Sequence, residues 1–182
     1  MITQENTAII IPARLQASRL PNKPLLEIHG KPMIQHVWEK AVLSQLGEVL
    51  VATDSEDIKN LIESLGGNAC MTSTKHTSGT DRIFEALNKI DLDQRIEFII
   101  NLQGDLPTIN TEALSTVLSL IEDDSSEIGT LACIFRNKSE IRKNQVVKAY
   151  CDYKENEIST LGLDFTRKSD SYDHNKLYHH IG

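Results

Sequence analysis

Three cations follow a short apolar segment near the start of the chain. Residues 8–11 read Ala-Ile-Ile-Ile and precede Pro12, which is typical of a strand buried on both faces. Arg14, Arg19 and Lys23 come next, within ten residues. Open α/β sheets bind ligands beyond the carboxyl ends of their strands, and fixed cations suit a polyanion such as a nucleoside triphosphate. The stretch alone leaves two interpretations open, a phosphate-binding loop and a solvated loop with ordinary basic residues.

A second group of chemical interest follows a predicted strand at 97–102. It is the tripeptide Gln103-Gly104-Asp105. Mg²⁺ prefers hard oxygen ligands, usually one or two carboxylates together with substrate phosphates, and a glycine lets the backbone approach a ligand closely. Asp105 is therefore a candidate Mg²⁺ ligand. A turn aspartate before Pro107 is an equally good interpretation of the residues themselves.

The third group is the polar segment 73–82, which opens a helix predicted from about residue 81 to 89. Ser78, Gly79 and Thr80 lie where a loop that begins a helix can donate backbone N–H groups to an anion. An ordinary helix cap explains the same residues, and without further information the cap is favoured.

The elements that position these groups alternate along the chain. Apolar segments predict strands at 8–11, 48–54, 68–72 and 97–102, and amphipathic segments predict helices that begin near residues 33, 55, 81 and 111. This order predicts a parallel sheet covered by helices. Val42 and Phe84 are assigned to the buried sides of the first and third helices. Later strands are predicted at 129–135 and, as an antiparallel hairpin, at 146–151 and 158–161.

The sequence resembles a known enzyme family. The run I-I-P-A-R-x-x-x-S-R-L-P-x-K-P-L, followed by G-K-P-M-I-x-H-V, is similar to the opening of 3-deoxy-manno-octulosonate cytidylyltransferases, the CMP-Kdo synthetases. H-x-S-G-T-[DE]-R, Q-G-D, F-[ST]-R and H-[LI]-G also match, so the resemblance covers essentially all 182 residues. The chain departs from the family pattern at Ser73, where an arginine is expected, and at Leu106, where the family usually has glutamate.

The resemblance implies a fold and a reaction. The fold is a Rossmann-like three-layer αβα nucleotidyltransferase fold in one domain, 1–182, with a mostly parallel central sheet and a small antiparallel hairpin insertion. The reaction transfers CMP from CTP to the sugar acid Kdo, giving CMP-Kdo and pyrophosphate for lipopolysaccharide biosynthesis. Mg²⁺ is the implied cofactor, and the full-length family form is expected to be a homodimer.

The resemblance also implies roles for individual residues. Catalytic roles fall on Arg14, Lys23 and Asp105, and Asp105 is the metal ligand. Nucleotide binding falls on a larger set: Ala13, Arg14, Arg19, Lys23, Ser78, Gly79 and Thr80. Binding of the sugar acid falls on Gln103, Arg167 and His180.

Family members continue beyond H-[LI]-G and carry a late aspartate that is a second metal ligand, whereas this sequence stops at Gly182. We therefore expect a fragment or a shortened relative that lacks the C-terminal elements, binds nucleotide weakly and turns over poorly or not at all. Three hypotheses stay open. They are an active CMP-Kdo synthetase, a non-catalytic nucleotide-binding or subunit-pairing remnant, and a cytidylyltransferase for a related sugar acid such as 8-amino-Kdo or a sialic acid.

Composition excludes several other classes. The net charge of −7 argues against nucleic acid as the main partner, because such proteins need a basic face. Cys70, Cys133 and Cys151 are far apart and show no zinc-ligand spacing. No apolar run approaches the length of a membrane span. We therefore expect a cytoplasmic protein with reduced thiols and no membrane partner.

Overall fold

A computed structural model describes residues 1–15, 20–122 and 126–181. The chain divides into two compact units, Met1–Leu118 and Ser119–Gly182, and each contains a sheet of its own. The assignment of 1–182 to one domain stays a prediction.

The first unit alternates strands and helices. Its strands are β1 (Thr7–Ala13), β2 (Glu27–Ile28), β3 (Lys31–Pro32), β4 (Glu48–Thr53), β5 (Asn68–Met71) and β6 (Phe98–Asn101). Its helices are α1 (Met33–Ser44), α2 (Glu56–Ser64), α3 (Gly79–Ile90) and α4 (Thr111–Ser119). In the part of the chain that the structure describes, no helix is both long and apolar enough to cross a bilayer.

A parallel sheet in the order β5-β4-β1-β6 is the centre of this unit. From β1 the chain proceeds outward to β4 and β5, and then returns to β6 on the other side of β1. The direction of winding therefore reverses between β1 and β6. Such a switch point opens a crevice at the carboxyl ends of the two strands, and ligands of open α/β sheets bind there.

Helices pack against both faces of β1. Ile10 belongs to a buried cluster with Ile83 of α3. On the opposite face, Ile11 of β1 and Ile34 of α1 lie close to the same point. Each has a side-chain atom within 4 Å of the position that a Cβ atom would occupy on Gly104. The sheet is thus covered on both sides, which confirms the predicted α/β class.

Two side chains that the sequence assigns to buried helix faces are exposed. Phe84 is 65% exposed and Val42 is 46% exposed, whereas Ala86 and Ala41 are fully buried. The small alanines allow α3 and α1 to approach the sheet closely. The prediction was wrong at both positions because it followed the large apolar residues only.

The second unit is built on an antiparallel sheet. Its strands are β7 (Ala132–Cys133), β8 (Lys148–Cys151), β9 (Gly162–Thr166) and β10 (Leu177–His180), in the order β7-β10-β8-β9. Short 3-10 turns lie at Lys138–Arg142 and His174–Lys176.

The hairpin predicted in this region is present, but its second strand was placed too early. β8 pairs with β9, which begins at Gly162, and residues 158–161 form no strand. The strand predicted at 129–135 is only two residues long, and β10 was not predicted. The hydrogen-bond partners of β10 on β7 and β8 are distant in the chain, so local periodicity does not show it.

The second unit contains a buried lysine whose contacts among the described residues are with carbonyl oxygens rather than carboxylates. The Lys148 side chain has no exposed surface, and its Nζ donates to the carbonyl oxygens of Lys143 at 2.8 Å and Arg167 at 2.7 Å. Burial, and secondarily the charge of Arg167, lower the pKa of Lys148. The residue joins the loop before β8 to the end of β9.

Gly104 lies where the chain leaving β6 passes the end of β1. A Cβ atom there would be 2.9 Å from the Pro12 carbonyl oxygen. We predict that Gly104→Ala separates these segments and lowers the free energy of unfolding by about 1–3 kcal/mol, measured by urea denaturation. Gly30→Ala is the control, because Gly30 has open space around it and a φ of +77°, so that only backbone strain of about 1 kcal/mol is added. No greater loss for Gly104→Ala than for the control would contradict this account.

Candidate active site

A cavity of about 520 Å³ lies at the switch point of the parallel sheet. Ala13 reaches it from the end of β1, and Gln103 and Asp105 reach it from the segment after β6. Arg14 and Lys23 belong to residues 14–23, the basic loop. Residues from distant parts of the sequence therefore meet at one wall. Arg19, the remaining predicted cation, lies outside the described residues.

The principal polar contact in this cavity is an ion pair. Nζ of Lys23 donates to Oδ2 of Asp105 at 2.6 Å. Lys23 begins a 3-10 turn and is followed by the buried Pro24, which fixes the backbone from which the lysine side chain extends. The side chains of Lys23 and Asp105 are 36% and 52% exposed, so their attraction contributes at most about 1 kcal/mol to stability. A ligand can therefore separate them at little cost.

Asp105 fits a divalent cation that also takes ligands from a substrate. Among residues 1–15, 20–122 and 126–181 there is no group of three or more His, Cys, Asp or Glu able to hold a metal. Mg²⁺ is commonly bound by one or two carboxylates plus phosphate oxygens and waters. The donor set thus suits a cation that enters with a triphosphate better than one held by protein ligands alone.

A smaller cavity of about 160 Å³ lies beside the first. It shares Ala13, Arg14 and Gln103 with the larger cavity, and Ser78 and Gly79 also line it. At about 30 Å³ per water, it has room for about five water molecules. This space suits one ring of a ligand rather than a chain of phosphates.

The start of α3 forms a wall of the smaller cavity. Oγ of Ser78 accepts a hydrogen bond from the backbone N–H of Asp81 at 3.1 Å, so it caps the helix. A Cβ atom on Gly79 would lie 3.3 Å from Cγ of Pro12, and glycine therefore lets the helix begin against the end of β1. Thr80 is exposed and is not among the described residues that line either cavity.

A buried arginine joins three elements around the site. Arg82 is 3% exposed, and its guanidinium donates to Oδ2 of Asp54 at 2.8 Å and to the hydroxyl of Thr72. Oδ1 of Asp54 in turn accepts from the backbone N–H of Leu15 at 3.3 Å. This chain of hydrogen bonds fixes the first residues of the basic loop, next to Arg14.

Sequence reasoning did not assign roles to Asp54 and Arg82. A usable signal existed, because Arg82 shares the buried side of an amphipathic helix with Ile83 and Ala86, and a charged residue at such a position requires a partner. Asp54 directly follows β4, the strand beside β1.

Glu85 accepts three hydrogen bonds, one of them from a residue that lines the smaller cavity. It accepts from Nζ of Lys89 at 2.6 Å, from the backbone N–H of Ser73 at 2.9 Å, and from Nε2 of His76. The bond from Lys89 contributes most, and together they lower the pKa of Glu85 to about 2. The carboxylate is therefore ionised at neutral pH. His76 lines the smaller cavity.

Gln103 lines both cavities. Its side-chain amide donates to Oδ1 of Asn101 at 2.9 Å. This bond orients the amide and leaves its carbonyl oxygen able to accept a hydrogen bond from a ligand hydroxyl.

The two remaining predicted residues lie in the second unit. Arg167 is exposed, and its guanidinium donates to the backbone carbonyls of Asn144 at 3.4 Å and Gln145 at 3.1 Å. Nε2 of His180 lies 2.8 Å from the hydroxyl of Thr130. Burial, and secondarily the neighbouring His179, lower the pKa of His180.

Comparison with known proteins establishes the family to which the chain belongs. A family profile described as cytidylyltransferase matches residues 8–179. The chain belongs to the cytidylyltransferase family. A family member from Nitrobacter winogradskyi, named 3-deoxy-manno-octulosonate cytidylyltransferase, is 42% identical over the whole chain, which spans 71% of that protein. The Rhodopseudomonas palustris protein of the same name is 43% identical, again over the whole chain and 74% of the relative.

Solved structures agree with this family assignment. A CMP:2-keto-3-deoxy-manno-octonic acid synthetase, complexed with CTP, superposes with a TM-score of 0.82 at 37% identity and covers 97% of this chain and 71% of its own. A cytidylyltransferase from Leptospira borgpetersenii shares the fold, with a TM-score of 0.55 at 24% identity over 73% of this chain and 56% of its own. The predicted family resemblance is confirmed.

The hydrogen bonds at Glu85 predict a pH-dependent contribution to stability. The pKa of this carboxyl is about 2 in the folded chain against an ordinary value of 4.5. Its contribution is therefore fully present above pH 4.5 and is lost as the pH falls towards 2. We expect Glu85→Gln to melt at a lower temperature than the wild type at pH 7. This difference in melting temperature should shrink as the pH falls from 4.5 towards 2.

Thermal unfolding followed by circular dichroism at a series of pH values measures this difference. Glu63→Gln on α2 is the matched control, since the described side-chain contacts of Glu63 include only an i,i+4 bond from Lys59 at 2.9 Å. The prediction fails if both variants show the same dependence on pH.

Proposed function

We propose that this chain transfers CMP from CTP to 3-deoxy-D-manno-octulosonate (Kdo), producing CMP-Kdo and pyrophosphate. The observation that carries this proposal is the convergence of Arg14, Lys23, Gln103 and Asp105 at the switch point of the parallel sheet. The proteins named for this reaction are 42–43% identical over the whole chain, and a synthetase of similar fold was solved with CTP.

Arg14 and Lys23 supply positive charge to the larger cavity. A guanidinium can donate two parallel hydrogen bonds to phosphate oxygens, whereas an ammonium acts as a point charge. We infer that both bind the triphosphate of CTP. They also offset the negative charge that grows on pyrophosphate as it departs.

The reaction needs no covalent intermediate with the protein. The anomeric hydroxyl oxygen of Kdo forms a bond to the α-phosphorus of CTP, and the bond from that phosphorus to the β-bridging oxygen breaks. The hydroxyl proton is released, and pyrophosphate leaves. The protein's contribution is positioning and electrostatic stabilisation of this transition state.

Asp105 would hold the divalent metal, for which we propose Mg²⁺, and the metal when bound would neutralise charge on the phosphates. Nζ of Lys23 also donates a hydrogen bond to Asp105. This contact holds the lysine ammonium at the cavity wall, which reduces the ordering required when a substrate binds.

The remaining assignments stay predictions. The backbone of Ala13 and of residues 78–80 is proposed to border the cytosine and ribose. Gln103, Arg167 and His180 are proposed to bind the sugar acid, and Arg19 to assist at the triphosphate. A cytoplasmic location is likewise a prediction.

Release of pyrophosphate from CTP, Kdo and Mg²⁺ tests the function directly. We expect turnover by the wild type. Lys23→Met and Asp105→Asn should each lower kcat/KM by about 100-fold or more, while the free energy of unfolding changes by less than about 1 kcal/mol. Lys59→Met, which removes an exposed ion pair on α2, is the control and should leave kcat/KM unchanged.

The other outcomes separate the alternatives. Protection by CTP against thermal unfolding without turnover would favour the nucleotide-binding remnant. Faster turnover with 8-amino-Kdo or a sialic acid would favour the related enzymes. The proposal would be overturned if the chain showed no turnover and if CTP with Mg²⁺ gave no protection against thermal unfolding.

We further propose that the chain forms a homodimer through β9. This strand is at the end of its sheet. Its residues Leu163 and Phe165 are 60% and 48% exposed, and Leu161, just before the strand, is 72% exposed. An apolar row on an edge strand is a favourable surface for pairing with a second copy of the chain. Sedimentation equilibrium should give twice the 20.4 kDa chain mass, and Leu163→Asp should give the monomer.

The control for this variant is Leu92→Asp in the first unit, where Leu92 is 81% exposed. It should remain dimeric. A monomeric wild type, or dissociation by both variants, would contradict pairing through β9.

A further inference from the structure

An imidazole forms part of the wall of the smaller cavity. His76 lies there together with Ala13, Ser78 and Gly79. Its side chain is 22% exposed, so it is largely sheltered while retaining a face towards the cavity. His76 is the first residue of the H-x-S-G-T-[DE]-R motif, but no role has been given to its side chain so far.

Glu85 fixes the hydrogen-bonding character of His76. The carboxylate accepts bonds from Lys89 and from the backbone of Ser73 as well as from the imidazole. An ionised carboxylate can only accept, and therefore Nε2 of His76 must be the donor. A neutral imidazole with a proton on Nε2 has a lone pair on Nδ1, which makes the second nitrogen an acceptor.

The position of Glu85 is itself fixed. Lys89 is one turn further along α3 and donates at 2.6 Å, and the Ser73 N–H donates at 2.9 Å from the segment after β5. The histidine is thus held by a carboxylate that is anchored from two elements. Such an arrangement sets both the tautomer and the orientation of the ring.

The size of the cavity limits what His76 can contact. A volume of about 160 Å³ accommodates one six-membered ring. Cytosine and uracil are nearly identical in shape. Cytosine has an exocyclic 4-amino group, which donates a hydrogen bond, whereas uracil has a carbonyl oxygen at the same position, which accepts one. A fixed acceptor distinguishes the two, because it pairs with the amino group and leaves the carbonyl oxygen facing another lone pair.

We propose that His76, held by Glu85, is a specificity-determining residue that accepts a hydrogen bond from the 4-amino group of cytosine and disfavours uracil. The inference rests on the proposed function, since it requires that the base of the nucleotide enters the smaller cavity. Glu85 is a positioning residue in this arrangement, because it acts through the imidazole.

The test compares kcat/KM for CTP and UTP, each with Kdo and Mg²⁺. The wild type should prefer CTP. His76→Phe keeps a ring of similar size but removes the acceptor, and it should reduce the CTP:UTP ratio by about tenfold, the effect of one hydrogen bond. Glu85→Gln should also reduce the ratio, because a carboxamide can donate as well as accept and no longer fixes the tautomer.

Two controls separate specificity from folding. His36→Phe alters a histidine on α1 whose Nε2 lies 2.8 Å from the Ile28 carbonyl oxygen, and Glu63→Gln removes a glutamate from α2. Both should leave the ratio unchanged. If His76→Phe does not fold, His76→Gln serves instead, and its amide should accept both bases and raise kcat/KM for UTP.

Calorimetric titration of CTP and UTP gives a second measurement that does not depend on turnover. The proposed function would be overturned if the wild type neither bound nor turned over CTP or UTP. A wild type that uses CTP, with a ratio that changes less than twofold in His76→Phe, His76→Gln and Glu85→Gln, would overturn the role of His76 and leave the function intact.

Discussion

Burial of β1 on both faces, with hydrogen-bonded neighbours on both sides, is the constraint on which the rest of the first unit depends. Ala8 and the three isoleucines that follow have no exposed surface. Such a strand cannot carry polar chemistry along its length. The functional groups must therefore lie beyond its carboxyl end, where the chain leaves the sheet at Arg14. The reversal of winding between β1 and β6 leaves that end uncovered.

The register of the sheet explains how the crevice opens. β6 pairs with β1 only as far as Ile10, whereas β4 continues opposite β1 to Ala13. The last residues of β1 thus have no strand beside them on the β6 side. Pro12 lies in this segment, and both Gly79 and Gly104 would place a Cβ atom within 3.3 Å of it. The start of α3 and the segment after β6, which are distant in the sequence, can therefore meet at the end of β1.

Local pattern was sufficient to predict the parallel strands and the helices of the first unit, because each of those strands is a short apolar run followed by polar residues. It also identified the segments that supply Lys23 and Asp105. It did not predict the two-residue strands β2 and β3. Pattern could not show Asp54 and Arg82, because their roles come from a hydrogen-bonded chain that ends on the Leu15 amide. It also missed β10, whose partners on β7 and β8 are remote in sequence.

Arg82 and Lys23 are both paired with an aspartate, but the first pair is buried and the second is accessible to water. The two pairs therefore have different functions. Arg82 is buried against Asp54, and removal of either partner would leave an uncompensated charge, so this pair fixes the architecture around the loop. Lys23 and Asp105 are paired at the wall of the larger cavity with both side chains accessible to water. Because that attraction is weak, an incoming polyanion can replace Asp105 as the partner of the lysine. The site thus places its fixed charges inside and its exchangeable charges where a ligand arrives.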